Sequence, residues 1–440
     1  MKGTRARSAA QRQRPTWRGA GLAVAGVLSM AGAAQLGRVD LLVLGLVLVL
    51  LPLAAAIAIT VEKPWFSVAR VFESDVVTAG ETARATLTVR NESSRRSAAL
   101  RWRDACPAEL QTPGFAPLPS VGEHARASRD HTDTAVVHYS IGTTVRGIFT
   151  LGPLLVERTD PFGLMRARYP VGSGKPLVVV PRVDDLGDAD LDVSRSEGYE
   201  HELVKHSIPN ADELIARDYR PGDPMRRVHW RATARHDKLM VRQEEPRSNP
   251  ESWLLIDTDA GSTERRSDAS SPRFETAVAL AASIGSHLID QGFVLGVAET
   301  APLQLQGRSG SGRAGLTGLP VAAYDPPGGA QTLLTGLAGL QQRERENTDP
   351  AAVLAAALGR NQQAVPTFVI IVDGDHDELA AVSARGSMGD PAVAFFVGAR
   401  PELRDLFEQR GWICVDASAG EAPHEIWRRA GIRSAAVQHG

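Results

Sequence analysis

Residues 41–61 read LLVLGLVLVLLPLAAAIAITV, a run of 21 residues without a charged side chain. A second uncharged run, Gly19–Gly37, precedes it, and only Arg38, Val39 and Asp40 separate the two. A helix of about 20 apolar residues crosses the hydrocarbon core of a bilayer. Because the break between the runs is long enough only for a tight turn, the sequence predicts a hairpin of two transmembrane helices.

The segment before the hairpin predicts which side of the membrane the chain occupies. Residues 1–18 carry six Lys and Arg side chains and no acidic one, and the positive-inside rule keeps such a tail in the cytoplasm. Two spans return the chain to the same side, so residues 62–440 are expected in the cytoplasm at the inner (plasma) membrane. A signal peptide is the alternative for the first run, with cleavage through the small residues of Ala31–Ala34.

The composition of the whole chain excludes several classes of protein. Over 440 residues, 49 Lys and Arg balance 51 Asp and Glu, which rules out a globally basic nucleic-acid binder. The two cysteines, Cys106 and Cys414, are too few for a disulfide scaffold or a cysteine-rich zinc module and indicate unpaired thiols in a reducing compartment. The length predicts two or three domains of about 150 residues each.

Between residues 66 and 183 the hydrophobic pattern has a period of two. Residues 82–90 alternate apolar and polar side chains, as a half-buried strand does. Several short strands without a helical run indicate a small antiparallel β-sandwich or barrel. Further strands are predicted over residues 100–103, 135–141, 147–156, 164–169 and 177–180, and the polar stretch 111–133 is predicted to be loop.

The C-terminal part alternates buried strands with helices. Residues 253–256 read WLLI and residues 367–372 read TFVIIV, which is typical of strands covered on both faces. Such an alternation predicts an α/β doubly wound fold, a parallel sheet with helices on both faces. The other predicted strands are 293–297, 393–397 and 412–415, and the predicted helices are 274–290 and 351–358.

An arginine-rich segment, residues 217–242, joins the two parts and holds eight Lys and Arg against three Asp. Asp223 is placed to cap a short helix that begins near Pro224, with Trp230 on its buried side. Three interpretations are open: an ion-paired brace between domains, a phosphate or nucleic-acid site that uses bidentate arginines, and a hydrolytic site that uses His229 with Asp223. The three acids and the near-neutral chain argue against a nucleic-acid partner.

Carboxylates follow the two most apolar strands of the α/β part. Asp257 and Asp259 follow residues 253–256, and Asp373 follows residues 367–372. Ligands of open α/β sheets bind at the carboxyl edge of the strands, and a set of oxygen ligands suits Mg²⁺ or Mn²⁺. The alternative is that these residues only cap the helices that follow.

The arginine-rich segment resembles the domain-of-unknown-function 58 family, whose signature has the form R-x-Y-x-x-G-D-x-x-R-x-x-H-W-x-x-(T/S)-A-R. Arg146-Gly147, the run DPFGL at residues 160–164 and the N-terminal hairpin also look like that family. The signature residues in this chain are Arg217, Tyr219, Arg220, Gly222, Asp223, Arg226, Arg227, His229, Trp230, Thr233, Ala234 and Arg235.

The resemblance implies a C-terminal region similar to a von Willebrand factor A domain. The metal-site pattern of such domains is D-x-S-x-S on the first strand, a later loop Thr and a later Asp. Asp257 takes the first position here, whereas Asp259 and Gly261 replace the two Ser residues. Thr348 and Asp373 take the places of the loop Thr and the later Asp. The resemblance therefore implies a degenerate site for Mg²⁺ or Mn²⁺.

The resemblance also implies partners, namely a MoxR-type AAA+ ATPase and a membrane transglutaminase-like protein. Since a dense signature occurs without a complete catalytic set, we expect a membrane-anchored, non-enzymatic adaptor that presents its A-like domain to proteins. It would act in assembly or maturation of envelope-associated proteins and dock through the signature. The alternative is a Mg²⁺- or Mn²⁺-dependent phosphoester enzyme that uses the three aspartates and the arginines.

These observations predict five segments. They are a basic cytoplasmic tail (1–18), two transmembrane helices in contact with the lipid bilayer (19–61), a β-sandwich-like domain (66–183), a linker with the signature (184–250) and the A-like α/β domain (251–440).

Overall fold

The computed structural model divides the chain into two compact units, Met1–Arg182 and Val183–Gly440. The structure describes residues 12–61, 64–97, 100–124, 133–187, 216–218, 230–236, 238–242, 250–259, 271–300, 304–305, 322–343, 365–372, 379, 382–384, 389–398 and 401–431.

The first unit begins with two apolar helices, α1 (Trp17–Leu36) and α2 (Val39–Val61), as the sequence predicts. Thr16 caps α1, since its hydroxyl accepts a hydrogen bond from the Gly19 amide. Gly37 ends α1 at a φ of 64°, a left-handed conformation that glycine adopts without strain. Both helices are long and apolar enough to cross a membrane.

Small residues bring the two helices close together. A side chain on Gly26 would begin 2.9 Å from the Gly45 carbonyl oxygen, and one on Gly45 would begin 2.7 Å from that of Gly26. The Ser29 hydroxyl donates to the Leu41 carbonyl at 2.8 Å. Close backbone approach through small residues, with interhelical hydrogen bonds, is how helices associate in membranes. The larger apolar side chains point outward and are exposed, among them Val24, Val27, Leu28, Leu42, Val43, Leu46, Val47 and Leu53.

The rest of this unit is built from short strands in three sheets, of five (β1-β11-β10-β5-β7), four (β2-β4-β8-β6) and three (β3-β12-β9) strands. Their inner faces enclose one apolar core, which includes Leu87, Trp102, Ile141 and Val156. The strands are β1 (Arg12–Pro15), β2 (Phe66–Phe72), β3 (Val76–Thr78), β4 (Thr82–Asn91), β5 (Leu100–Asp104), β6 (Leu110–Gln111), β7 (Ala116–Leu118), β8 (Thr134–Thr143), β9 (Gly147–Leu151), β10 (Leu154–Thr159), β11 (Met165–Val171) and β12 (Lys175–Val180).

The structure corrects three details of the predicted β region. The single strand predicted over residues 147–156 is two strands, because Gly152 has a φ of 103° and turns the chain from the three-stranded into the five-stranded sheet. The predicted loop 111–133 contains part of β6 and all of β7, which pair with strands already in the core. The sheets are not wholly antiparallel, since β3 and β12 run parallel.

The second unit is an α/β unit around a six-stranded sheet. The six strands of this sheet are β15 (Glu251–Ile256), β16 (Val294–Glu299), β17 (Ala322–Tyr324), β18 (Val365–Ile371), β19 (Gly389–Val397) and β20 (Ile413–Ala417). Two further strands, β13 (Ala216–Asp218) and β14 (Met240–Arg242), form a separate two-stranded sheet. The described helices of the unit are α3 (Trp230–His236), α4 (Pro272–Asp290), α5 (Gly329–Ala338), α6 (Pro401–Gln409) and α7 (Pro423–Arg429).

The six-stranded sheet has the order β17-β16-β15-β18-β19-β20. Alternate residues of β15 face opposite cores: Leu254 and Ile256 pack with helices α4, α5 and α7, and Trp253 and Leu255 pack with α6. The predicted α/β fold is thus confirmed. The prediction of a wholly parallel sheet is wrong at one edge, because β17 pairs antiparallel with β16. The predicted helix 351–358 lies outside the described residues.

Candidate functional site

The two ends of the arginine-rich signature come together in one local structure. Arg217 lies in β13, directly opposite Val241 of β14. Helix α3 precedes β14, and its Thr233 hydroxyl accepts a hydrogen bond from the Met240 amide at 3.0 Å. The signature therefore begins on a strand and ends on a short helix that is fastened to the neighbouring strand.

Trp230 begins α3 with 68% of its surface exposed, and Arg235 on the same helix is also exposed. The expectation that Trp230 lies on a buried side is therefore wrong. The described helix has only seven residues and is held by Thr233, which leaves its first residue unpacked. The signature residues Tyr219, Arg220, Gly222, Asp223, Arg226, Arg227 and His229 lie outside the described residues.

Asp257 lies at the carboxyl edge of the six-stranded sheet and is only 1% exposed. One of its oxygens, Oδ1, accepts from the Thr300 hydroxyl at 2.9 Å and from the Asp259 amide at 3.2 Å. The other, Oδ2, accepts from the Val372 amide at 3.1 Å. Asp257 thus connects the ends of β15, β16 and β18, an arrangement that stabilises this edge through charge-assisted hydrogen bonds.

A second buried carboxylate, Glu299, was not found by the sequence analysis. It ends β16 opposite Ile256, and its oxygens accept from the Gln304 amide at 3.0 Å and the Leu305 amide at 2.7 Å. Its signal in the sequence is an acid directly after an apolar strand, as for Asp257. Such acids order the loops that leave the carboxyl edge.

The predicted metal ligands are only partly described. Asp259 lies beside Asp257, but its described role is through the main chain: its amide donates to Asp257, and it forms a β-bridge with Arg343. Thr348 and Asp373 lie outside the described residues. Within the described part of the chain, no three His, Cys, Asp or Glu side chains are grouped to hold a metal ion.

The base of the helical hairpin forms another organised cluster. Asp160 is buried; its carboxylate accepts from the Phe162 amide at 2.8 Å and from the Met165 amide. The resulting turn directs the carbonyls of Gly163 and Leu164 toward Thr16, which donates to them from its hydroxyl at 2.6 Å and from its amide at 2.9 Å, respectively. The run DPFGL is therefore the contact point for the start of α1.

Two apolar helices at the N-terminus, β sheets and an α/β unit define a multidomain protein with a candidate membrane anchor. Residues 215–334 match the family model described as "Protein of unknown function DUF58", which supports the resemblance of the signature to this family. The matched segment runs from the strand of the signature to the middle of α5 and includes Asp257 and Glu299. No match is found among the curated proteins.

Solved structures give only distant similarity. The CARDB domain of a Pyrococcus furiosus protein, in complex with di-metal ions, is 15% identical, covers 25% of this chain and 90% of its own, and has a TM-score of 0.18. A complex of zinc 2-glycoprotein and prolactin inducible protein from human seminal plasma is 9% identical, with a match that covers 27% of this chain and 94% of the chain in that structure, and has a TM-score of 0.17. A Paenibacillus cycloisomaltooligosaccharide glucanotransferase is 12% identical, with a match that covers 80% of this chain and 53% of the enzyme's chain, and has a TM-score of 0.17. TM-scores of this size carry no argument about fold or function.

Proposed function

We propose that this protein is a membrane-anchored, non-enzymatic adaptor whose α/β unit binds protein partners through the signature. The observation that carries the proposal is the exposure of Trp230 on a helix that also exposes Arg235. Tryptophan and arginine are the residues most enriched at the energetic centres of protein interfaces. A large aromatic ring left in water within a family signature is explained if a partner covers it.

The strand order supports a von Willebrand factor A-like role for this unit. Counted from β15, the order is 3-2-1-4-5-6, which is that of doubly wound sheets. In such sheets the recognition edge lies where the order reverses, here between β15 and β18. Asp257 bridges these two strand ends through the Val372 amide. A buried brace at this point holds the edge in one conformation for a partner.

Two features support a two-pass anchor rather than a cleaved signal peptide. The apolar side chains outside the helix pair are exposed, an arrangement that is unfavourable in water and favourable in lipid. Strand β1 precedes α1 in the chain and pairs with β11, which follows α2. Both ends of the hairpin therefore belong to one folded unit, as two crossings require. The basic tail then favours the cytoplasm as the side of this unit.

The proposed partner is a MoxR-type AAA+ ATPase, which the family resemblance implies, together with a transglutaminase-like membrane protein as client or neighbour. The test is crosslinking in native membranes followed by mass spectrometry, with wild type, Trp230→Ala and Ile413→Ala. Ile413 is an exposed apolar residue of β20 in the same unit and serves as the matched control.

Recovery of the ATPase is expected to fall at least about tenfold with Trp230→Ala, because an interface tryptophan that acts as a hot spot contributes about 2 kcal/mol or more. Recovery is expected to stay near the wild-type level with Ile413→Ala. Equal recovery with the two variants, or no ATPase with the wild type, would refute the adaptor proposal in this form.

A further inference from the structure

We propose that the β unit lies directly on the membrane and that one of its surfaces contacts the headgroup layer of an anionic lipid bilayer. This interfacial surface consists of Phe162, Trp17, Arg14 and Arg18. The proposal rests on the membrane anchor proposed above and adds that the folded unit itself, not only its two helices, contacts lipid.

The DPFGL turn holds an aromatic ring out of the protein. Phe162 is 66% exposed, although its amide is fixed by the Asp160 carboxylate at 2.8 Å. Gly163 follows with a φ of 72° and donates its amide to the Asp160 carbonyl at 3.0 Å. The backbone of the turn is thus fixed, and its Phe162 side chain faces outward whereas its Leu164 side chain is buried. An apolar ring that a buried aspartate holds in solvent is costly unless something covers it.

The turn is fixed at the level of the first residues of α1. The Gly163 and Leu164 carbonyls accept hydrogen bonds from Thr16, and Gly19 lies so close to the Leu164 oxygen that a side chain there would not fit. An Arg18 nitrogen lies 4.0 Å from the position that a side chain on Gly163 would occupy. Phe162 therefore lies beside the end of α1, where a transmembrane helix leaves the hydrocarbon core.

The second helix is fixed to the same sheet. Tyr169 of β11 donates its hydroxyl to the Ile59 carbonyl at 2.6 Å, and burial raises the pKa of this tyrosine. Ala55 and Ile59 pack against Met165 and Tyr169 in one apolar cluster. Because both helices are attached to the ends of one strand and its turn, the β unit cannot move away from the bilayer as a tethered domain would.

The residues around Phe162 match the chemistry of a membrane interface. Trp17, the first residue of α1, is 81% exposed, and the Arg18 guanidinium lies 5.4 Å from its ring centre. Tryptophan and basic residues at the ends of transmembrane helices lie at the headgroup level. A further aromatic residue, Trp65, is exposed four positions after the end of α2.

Positive charge extends from this point over the outer face of the five-stranded sheet. Arg14 of β1 lies directly opposite Arg166 of β11. Glu157, an acid on that face, is buried and shared by Arg101, Arg166 and Arg168 at 2.9 to 3.7 Å. The exposed charge of the face is therefore positive, which favours anionic lipid headgroups near the membrane surface.

The test places an environment-sensitive fluorophore on single cysteines of the full chain, after Cys106→Ala and Cys414→Ala. The labelled variants are Phe162→Cys, Val27→Cys in the outward face of α1, and Val71→Cys on β2. Val71 is the matched exposed control, because it is 58% exposed and lies on β2 outside the interfacial surface. Each protein is reconstituted into nanodiscs with or without phosphatidylglycerol and with a headgroup spin-labelled lipid.

The label at residue 162 is expected to be quenched by the spin-labelled lipid several-fold more than the label at residue 71. The quenching is expected to be stronger with phosphatidylglycerol, and this difference is expected to disappear with Arg14→Gln and Arg18→Gln together. If the emission of the label at 27 reports a hydrocarbon environment while the labels at 162 and 71 are quenched alike, the interfacial surface is refuted and the anchor stands. If the label at 27 is also open to water, the anchor and the surface both fail.

Apart from its scaffold protein, the purified nanodisc contains no other protein. If the natural occupant of this surface is a protein, residue 162 is therefore left in water, and that result would count against the proposal. Quenching at 162 that is the same in both lipid mixtures would refute the preference for anionic lipid.

Discussion

Replacement of Asp104 by alanine is expected to destabilise the β unit by about 3–5 kcal/mol, the cost of removing one partner from a buried ion pair. The Asp104 side chain is fully buried, and the Arg70 side chain is only 3% exposed. Arg70 donates from Nε to Asp104 at 2.7 Å and also from Nη2, and the Tyr139 hydroxyl donates to the same carboxylate. Three donors therefore depend on one side chain.

The sign of the effect follows from the charges. Burial alone would lower the pKa of Arg70, but the hydrogen bonds and the charge of Asp104 outweigh it, and the pKa is raised. Burial also raises the pKa of Tyr139, as does its hydrogen bond to Asp104. Without Asp104 the guanidinium remains charged in a site that no longer compensates it. A double replacement, Arg70→Met with Asp104→Leu, is expected to recover the part of the loss that comes from the unpaired guanidinium, because well-packed apolar residues often replace a buried pair without cost. The part that comes from the Tyr139 hydroxyl remains, since this donor still lacks its acceptor.

Hydrogen exchange of the amides of β5 and β10, followed by mass spectrometry, measures this loss. A change of 3–5 kcal/mol corresponds to faster exchange by a factor of about 10² to 10³·⁵, at about 1.4 kcal/mol per tenfold. The control is Glu73→Ala, which removes an ion pair with Arg84 whose side chains are 69% and 78% exposed; such pairs contribute at most about 1 kcal/mol. Equal exchange in Asp104→Ala and Glu73→Ala would refute the reasoning.

Three further predictions concern pH, a thiol and the sheet edge. The hydrogen bond from His124, with one from Arg90, lowers the pKa of Asp133 to about 2. The contribution of Asp133 to stability is therefore present above about pH 4 and is lost as the pH falls toward 2. The acid unfolding profile should shift with Asp133→Asn, and an unchanged profile would contradict this prediction. Burial raises the pKa of the Cys414 thiol to about 12, so iodoacetamide at pH 8 should alkylate it slowly in the folded protein and quickly in the denatured one, as mass spectrometry can follow. Asp257→Asn should lower the free energy of unfolding of the α/β unit by about 1–3 kcal/mol, because one of the buried groups that donate to Asp257 loses its acceptor. Thermal unfolding measures this loss. If millimolar Mg²⁺ stabilises the wild type and this variant abolishes the effect, the metal-dependent enzyme would be favoured instead.

The pattern of apolar residues predicted the elements whose burial is visible in their own sequence. Strand β4 alternates buried residues with exposed or half-buried ones along its whole length, and β15 is buried on both faces, so each strand shows its burial in its own sequence. Helix α4 buries thirteen of its residues and was predicted to within two residues of its start. These elements are predictable from their own sequences, because the apolar positions of each element are the ones that its neighbours bury.

Elements defined by a distant partner were missed. Strand β17 has three residues, too few for a period, and becomes a strand only because Tyr324 pairs with Leu295. The break at Gly152 has the same character: the residues on both sides are suited to strands, and a left-handed φ at one glycine assigns them to different sheets. Sequence position shows that a glycine is present but not which backbone conformation it adopts.

Two of the places where the chain resembles the domain-of-unknown-function 58 family have different physical roles, which no sequence pattern distinguishes. At residues 160–164 the aspartate is buried, and its carboxylate accepts hydrogen bonds from amides of its own turn. The Gly163 carbonyl of this turn accepts a hydrogen bond from Thr16, which lies 147 residues earlier in the chain. In the signature the described tryptophan is exposed and its helix is tied down through Thr233. Buried acids that hold a turn act on the fold, whereas an exposed aromatic side chain is available to a partner. The first place therefore fixes the helical hairpin to the β unit, and the second is where replacement of one ring should change binding without changing the fold.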